Sequence, residues 1–278
     1  MHLLDADKNF SCSGIVGASF QQLAGTTDDE EVVTPSPPFS VTRRRARQPI
    51  RDCLAVFAHP DDAELTCFGT LLRIGKSGGR VTIASMTRGE GSSAARAQKD
   101  PMKARVEEAS AAADSIGAEL VLCDFPDGSV CLNSELVGAI ERLIDSMRPA
   151  VVITHSVLSA GTDHQDHLAI GAAVTRAARH SGQRIPWLLM AEPPCAHPEF
   201  VPNLYVDVTA EYDAKLAALN LHRTEMSKPA TDTATLRARA VHWAALGFGS
   251  GCGATRFAEA YRIVRASVVS NVDFLLGA

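Results

Sequence analysis

The sequence predicts an α/β fold: a Rossmann-like, doubly wound, mostly parallel sheet in a single domain, preceded by a partly irregular N-terminal extension. Three observations lead there. Short apolar runs at 53–58, 81–86, 119–123 and 150–154 alternate with helical patterns at about 63–77, 102–117 and 134–147, and strands alternating with helices build parallel sheets through helical crossovers. The helical period is clearest in the third pattern, where Leu136, Val137, Ile140, Leu143, Ile144 and Met147 keep the spacing of one buried face. One His/Asp cluster directly follows the first apolar run and another follows the fourth after His155 and a Ser/Gly-containing loop, and sheets of this kind bind ligands at the carboxyl ends of their strands.

In chain order, residues 1–50 stand apart. An acidic block, Asp28 to Glu31, precedes the Pro/Ser-rich stretch Thr34 to Pro38 and the basic run Arg43 to Arg47. Such composition reads as an extended or partly ordered extension, and its arginine run as a solvated linker near acidic neighbours. The domain is expected over 51–278. Its first strand leads into a turn, Ala58-His59-Pro60-Asp61-Asp62-Ala63-Glu64. Ser134 is placed to cap the third helix. Further strands are expected at 187–190 and 204–208, helices at about 210–226 and 233–246, and a terminal segment near 258–269.

Composition narrows the function. The 278 residues are 46 % hydrophobic and 21 % charged with a formal net charge of −5, which suits a soluble globular protein and argues against a nucleic-acid partner. Seven cysteines, at 12, 53, 67, 123, 131, 195 and 252, form no CxxC pair; a reducing compartment fits better than a disulfide framework. No apolar run reaches the ~20 residues of a membrane span, and the start of the chain lacks the apolar core of a secretory signal. The expected location is cytoplasmic, without stable membrane insertion. Oligomeric state is not readable.

The two clusters carry chemistry. A catalytic zinc takes three protein ligands and leaves a position open, and His59, Asp62 and His167 supply a His/Asp/His set. Asp61, next to a ligand on a different bearing, is placed as general base for a water whose pKa the metal lowers. His164 and His167 share a side if the helix begins at or before Asp163, and Asp166 can orient an imidazole. The bland readings are that Asp61 or Asp62 caps the following helix and that His164 and His167 are surface residues of a helix start.

Residues 58–65 with His164-Gln165-Asp166-His167 resemble the PIG-L/LmbE family of zinc-dependent de-N-acetylases, over about residues 52–265. Thr87 to Gly91, Arg105 to Glu108, Phe125-Pro126-Asp127, Val206 to Val208 with Lys215 and His222, and Glu259 to Tyr261 resemble family segments as well. The resemblance implies one zinc per chain on His59, Asp62 and His167, with Asp61 as general base. It implies that His164 stabilises the oxyanion or protonates the leaving amine, supported by Asp166, and that Arg105 and Asp127 contact sugar hydroxyls. The last two have ordinary alternatives, an exposed helix charge and a turn residue. Phe68 stands where the family commonly has glycine, which bears on packing under the first motif, and Gln165 replaces a frequent proline.

The expected reaction is hydrolysis of the acetamide of an N-acetylglucosaminyl group, with a small-molecule glycoconjugate as partner. In its Ala/Arg-rich composition and N-terminal extension the chain resembles family members from antibiotic biosynthesis, and that resemblance implies a secondary metabolite, a glycopeptide antibiotic pseudoaglycone or an aminoglycoside; a thiol or lipid glycoconjugate is the alternative. A dinucleotide-binding protein is disfavoured, because no G-x-G-x-x-G follows the first strand. A non-catalytic, metal-stabilised binding module would close its site with a fourth ligand.

Overall fold

The structure, a computed structural model, describes residues 52–93, 96, 98–157, 164–181, 185–195, 199–249 and 255–266. The N-terminal extension with its arginine run and Asp163 lie outside the described residues.

Seven described strands form one sheet in the order β3-β2-β1-β4-β5-β7-β6. They are β1 (Cys53–Phe57), β2 (Val81–Ser85), β3 (Glu119–Leu122), β4 (Val151–His155), β5 (Trp187–Ala191), β6 (Leu204–Asp207) and β7 (Ala258–Ala266). The first five run parallel. The terminal segment is a strand, β7, inserted antiparallel between β5 and β6. The mostly parallel α/β sheet expected from the alternation is therefore present, with an antiparallel edge.

Helices cover both faces, and β1 shows how. Its five residues are all buried: Leu54 and Val56 join the cluster holding Leu136, Ile140, Val174 and Leu188, while Cys53, Ala55 and Phe57 join the one holding Phe68, Leu71, Ala112 and Tyr261. A parallel strand buried on both faces reads as a continuous apolar run for this reason. The first cluster sits under α4 (Ser134–Met147) and α5 (Gln165–His180), the second under α2 (Phe68–Lys76), α3 (Pro101–Asp114) and α6 (Tyr212–Leu219). Phe68 is fully buried in that second core, so the bulky side chain in a glycine position is absorbed as packing.

Three local readings are corrected. The pattern at 63–77 divides at Cys67 into α1 (Asp62–Thr66) and α2. The Glu259 carboxylate on β7 accepts the Gly69 and Thr70 backbone N–H groups at 2.9 and 2.8 Å, so the first turn of α2 is capped by a residue far along the chain. The cap of α4 is Asn133, whose side chain accepts from the Leu136 N–H at 2.9 Å, and not Ser134. The pattern at 210–226 ends as helix at Leu219; residues beyond it form turns that put His222 and Glu225 at zero exposure. The helix expected at 233–246 is α7 (Thr233–Phe248), capped by Asp232. Among the described residues no helix is long and apolar enough to cross a membrane.

The strand order reverses between β1 and β4, and α5 presses on β4 there. A Cβ on Gly171 would lie 2.6 Å from the His155 carbonyl oxygen, closer than packed atoms approach, so only glycine allows this contact. Gly171→Ala is therefore expected to lower stability by about 1–3 kcal/mol. Thermal unfolding checks this; an unchanged melting temperature would refute it.

Candidate active site

The turn after β1 and the first turn of α5 meet at the reversal point, where an open α/β sheet presents a crevice. His59, Asp62 and His167 each bring one ligand atom to within 4.8 Å of the others. His59 Nδ1 lies 3.1 Å from His167 Nε2 and 3.3 Å from Asp62 Oδ2, and His167 Nε2 lies 3.3 Å from Asp62 Oδ1. Asp62 Oδ2 also accepts the His59 backbone N–H at 2.8 Å. Two imidazole nitrogens and a carboxylate crowded around one point form a donor set that suits a divalent cation.

Neighbours hold these donors in place. His59 Nε2 faces Asp127 Oδ1 at 3.1 Å and Asp166 Oδ2 at 3.4 Å. Burial would lower the His59 pKa, but Asp62 and then the Asp127 and Asp166 carboxylates carry it well above its ordinary value. Burial likewise pushes Asp62 up, and the three imidazoles of His167, His155 and His59 overcome this to hold it well below the usual carboxylate range. Asp166 also ties down the loop after β3, accepting from Gly128 N–H at 2.7 Å and Val130 N–H at 3.0 Å. Gln165 donates its side-chain amide to the Gly128 carbonyl, a bond that proline could not make.

His164 is the N-cap of α5, which begins at Gln165. The shared-face condition is therefore not met by helix geometry, yet the ring still reaches the cluster: its centroid is 4.9 Å from that of His59, edge on, and 5.5 Å from that of His167. Its Nδ1 accepts the Asp166 N–H at 3.3 Å, which places the proton of a neutral ring on Nε2. Burial, and then the charge on His59, push His164 below its ordinary pKa.

Asp61 is buried at the start of α1, but its side chain makes no capping hydrogen bond, so the helix-cap reading fails. It accepts from Arg105 Nη2 at 2.8 Å. Burial raises its pKa, and the Arg105 charge outweighs that, leaving Asp61 below the usual carboxylate range. Arg105 itself is 1 % exposed, so it lies under the site on Asp61 and is no exposed helix charge. Gly89, with φ of +71°, makes room: a Cβ there would stand 2.5 Å from Arg105 Nε. Asp127 receives the Gly91 N–H at 2.6 Å as well as His59, so its turn position also orients an imidazole.

Comparison with known proteins decides the family. A model described as PIG-L, GlcNAc-PI de-N-acetylase, matches residues 54–178. An Escherichia coli protein described as the uncharacterized deacetylase YaiS is 32 % identical over 176 residues, spanning 62 % of this chain and 90 % of the relative. The chain belongs to the PIG-L family. It is accordingly an enzyme of the deacetylase class. A PIG-L relative from Mycobacteroides abscessus, named 1D-myo-inositol 2-acetamido-2-deoxy-alpha-D-glucopyranoside deacetylase, is 26 % identical over 231 residues, covering 64 % of this chain and 82 % of its own. A conserved protein from Thermus thermophilus superposes with a TM-score of 0.66 at 26 % identity, covering 78 % of this chain and 96 % of that one. The 4-carboxy-2-hydroxymuconate hydratase of Pseudomonas putida also superposes with a TM-score of 0.66, covering 80 % of this chain and 99 % of its own, but at 22 % identity. That likeness concerns the fold alone, and fold does not fix reaction.

Sequence reasoning gave no role to His155. It ends β4, stacks on His167 with ring centroids 4.0 Å apart and planes 10° apart, and stands 3.2 Å from Asp62 Oδ2. Its Nε2 also lies 3.0 Å from the Ala58 N–H; as a neutral ring it accepts there, and when protonated it donates to Asp62. A His at the last position of a buried apolar run was the available signal. The His222–Glu64 contact, at 3.4 Å between two buried side chains, is a second partnership that only the fold reveals. His155→Leu should weaken metal affinity by about 10–100-fold, as loss of a supporting partner does in metal sites. Competition with a chelator measures this, and wild-type affinity would reduce His155 to packing.

Proposed function

We propose that the enzyme hydrolyses the acetamide of an N-acetylglucosaminyl group on a small glycoconjugate, using a zinc ion held by His59, Asp62 and His167. The observation that carries the proposal is the convergence of three donor atoms within 4.8 Å beside a carboxylate, Asp61, held ionised by a buried arginine. A zinc bound there supplies Lewis acidity and makes water a nucleophile near neutral pH.

The chain's own groups do the rest. Asp61 takes the proton of the attacking water, for which a fixed, ionised carboxylate is suited. His164, as the imidazolium, stabilises the oxyanion formed from the acetyl carbonyl and passes its Nε2 proton to the departing amine; once products leave, Asp61 gives its proton to solvent and His164 takes one back. Asp166 sets its ring. Attack forms the new C–O bond; collapse breaks the C–N bond and leaves acetate and a free amino sugar. Arg105 acts through Asp61, and Asp127 through His59, in addition to any sugar contact made by Asp127.

The relative from Mycobacteroides abscessus, whose name specifies an acetamido-glucosyl inositol, supports a compact, polar glycoside. A secondary metabolite, such as a glycopeptide pseudoaglycone or an aminoglycoside, is the acceptor class we favour, with a cytoplasmic setting. The test combines metal analysis with acetate release from a panel: acetamido-glucosyl inositol, a glycopeptide pseudoaglycone, an acetylated aminoglycoside and N-acetylglucosamine itself. About one zinc per chain and acetate from at least one glycoside are expected, whereas a zinc-loaded enzyme that releases no acetate from any member refutes the proposal. Asp62→Ala should lose both metal and activity. Asp61→Asn should keep the metal while kcat falls by about 100-fold or more, and full activity in that variant would remove Asp61 from its role.

A further inference from the structure

Of the buried acids that this chemistry leaves unused, Glu225 stands nearest in contact to its base, through Arg105. Glu225 lies in the turns after α6 at zero exposure, and its partners are Arg105, Ser92 and Lys228, none of them in the His59–Asp62–His167 set. Its Oε1 accepts from Ser92 Oγ at 2.6 Å and lies 3.2 Å from Arg105 Nη1; its Oε2 meets Lys228 Nζ. Arg105 therefore stands between two carboxylates, with Nη2 on Asp61 and Nη1 on Glu225.

An arginine beside a lone carboxylate tends to bind it with two parallel N–H···O bonds. Here Asp61 receives one, from Nη2 to Oδ1. The Nη1 contact to Glu225 is an ion pair without an aligned hydrogen bond, and Nε has no hydrogen-bond partner. The fork is thus held in its present setting by charge on both sides, in a buried region where such attraction is little screened.

We propose that Glu225 is a positioning residue for the deacetylation. By drawing one end of the Arg105 guanidinium to itself, it limits Asp61 to a single arginine hydrogen bond and leaves the second oxygen of Asp61 for the attacking water. Ser92 fixes the Glu225 oxygen that faces Arg105, and Lys228 balances the charge of the other. This rests on the deacetylase reading above, and concerns rate and not metal binding.

Glu225→Gln keeps shape and hydrogen bonding but removes the charge. Its crystal structure should show Arg105 turned onto Asp61 with two hydrogen bonds. Its kcat should fall about tenfold or more, as small misplacements of catalytic groups do, while KM stays within about twofold and metal content is unchanged. In an Arg105→Lys background, where no two-pronged contact can form, the same change should cost much less; such non-additivity is the mark of one residue acting through another. Glu225→Asp, which keeps the charge, should retain more activity than Glu225→Gln. An unmoved Arg105, a wild-type kcat, an equal loss in both backgrounds or a loss of metal would each overturn the proposal, as would failure of both Glu225 variants to fold, which would make the residue a brace. If the wild-type enzyme releases no acetate from any panel member, the deacetylase reading fails instead, and the position of Arg105 in the Glu225→Gln structure still decides whether Glu225 divides the guanidinium.

Discussion

The site depends on keeping one carboxylate ionised where water is nearly excluded. Asp62 is 3 % exposed, and an unpaired charge there would cost several kcal/mol. It is compensated by three imidazoles and a backbone N–H, all within 3.3 Å. Those partners come from three places in the chain: the turn after β1, the end of β4 and the first turn of α5. The carboxylate is stable only if β1 and β4 are neighbours and α5 lies close against β4, so the fold and the donor set require each other.

Outward from Asp62 the charges alternate in sign. Asp127 and Asp166 flank His59, Glu64 faces His222, and Asp61, Arg105, Glu225 and Lys228 form a line that leads from the site to a half-exposed ammonium. This is how one rim holds six carboxylates without mutual repulsion dominating. It also means that the groups proposed to act are set before substrate arrives, which is the form of preorganisation that lowers barriers most effectively.

How much of this was legible in the sequence follows from the range of each interaction. The parallel strands, their order along the chain and the long helices are set by apolar runs and the helical period, which are local, and α4 matches its sequence pattern from Ser134 to Met147. The two His/Asp clusters were legible because each falls in the connection that leaves the carboxyl end of a strand, and the geometry of such sheets places both on one rim. The short-range alternatives were legible too, but sequence could not choose between a helix cap and a general base for Asp61.

The sequence by itself determined the fold class, the rim and the chemical types gathered there. The tertiary structure alone decided what each group touches. Arg105, read as a sugar contact or an exposed helix charge, is the buried partner of an aspartate 44 residues away. The first turn of α2 is capped by a glutamate 190 residues beyond Gly69, and the role of His155 depends on a ring stacked on it from α5. Nothing in a local pattern encodes such pairings. Burial in a low-dielectric interior makes each charge seek its opposite, and only the packed fold says which opposite lies within reach.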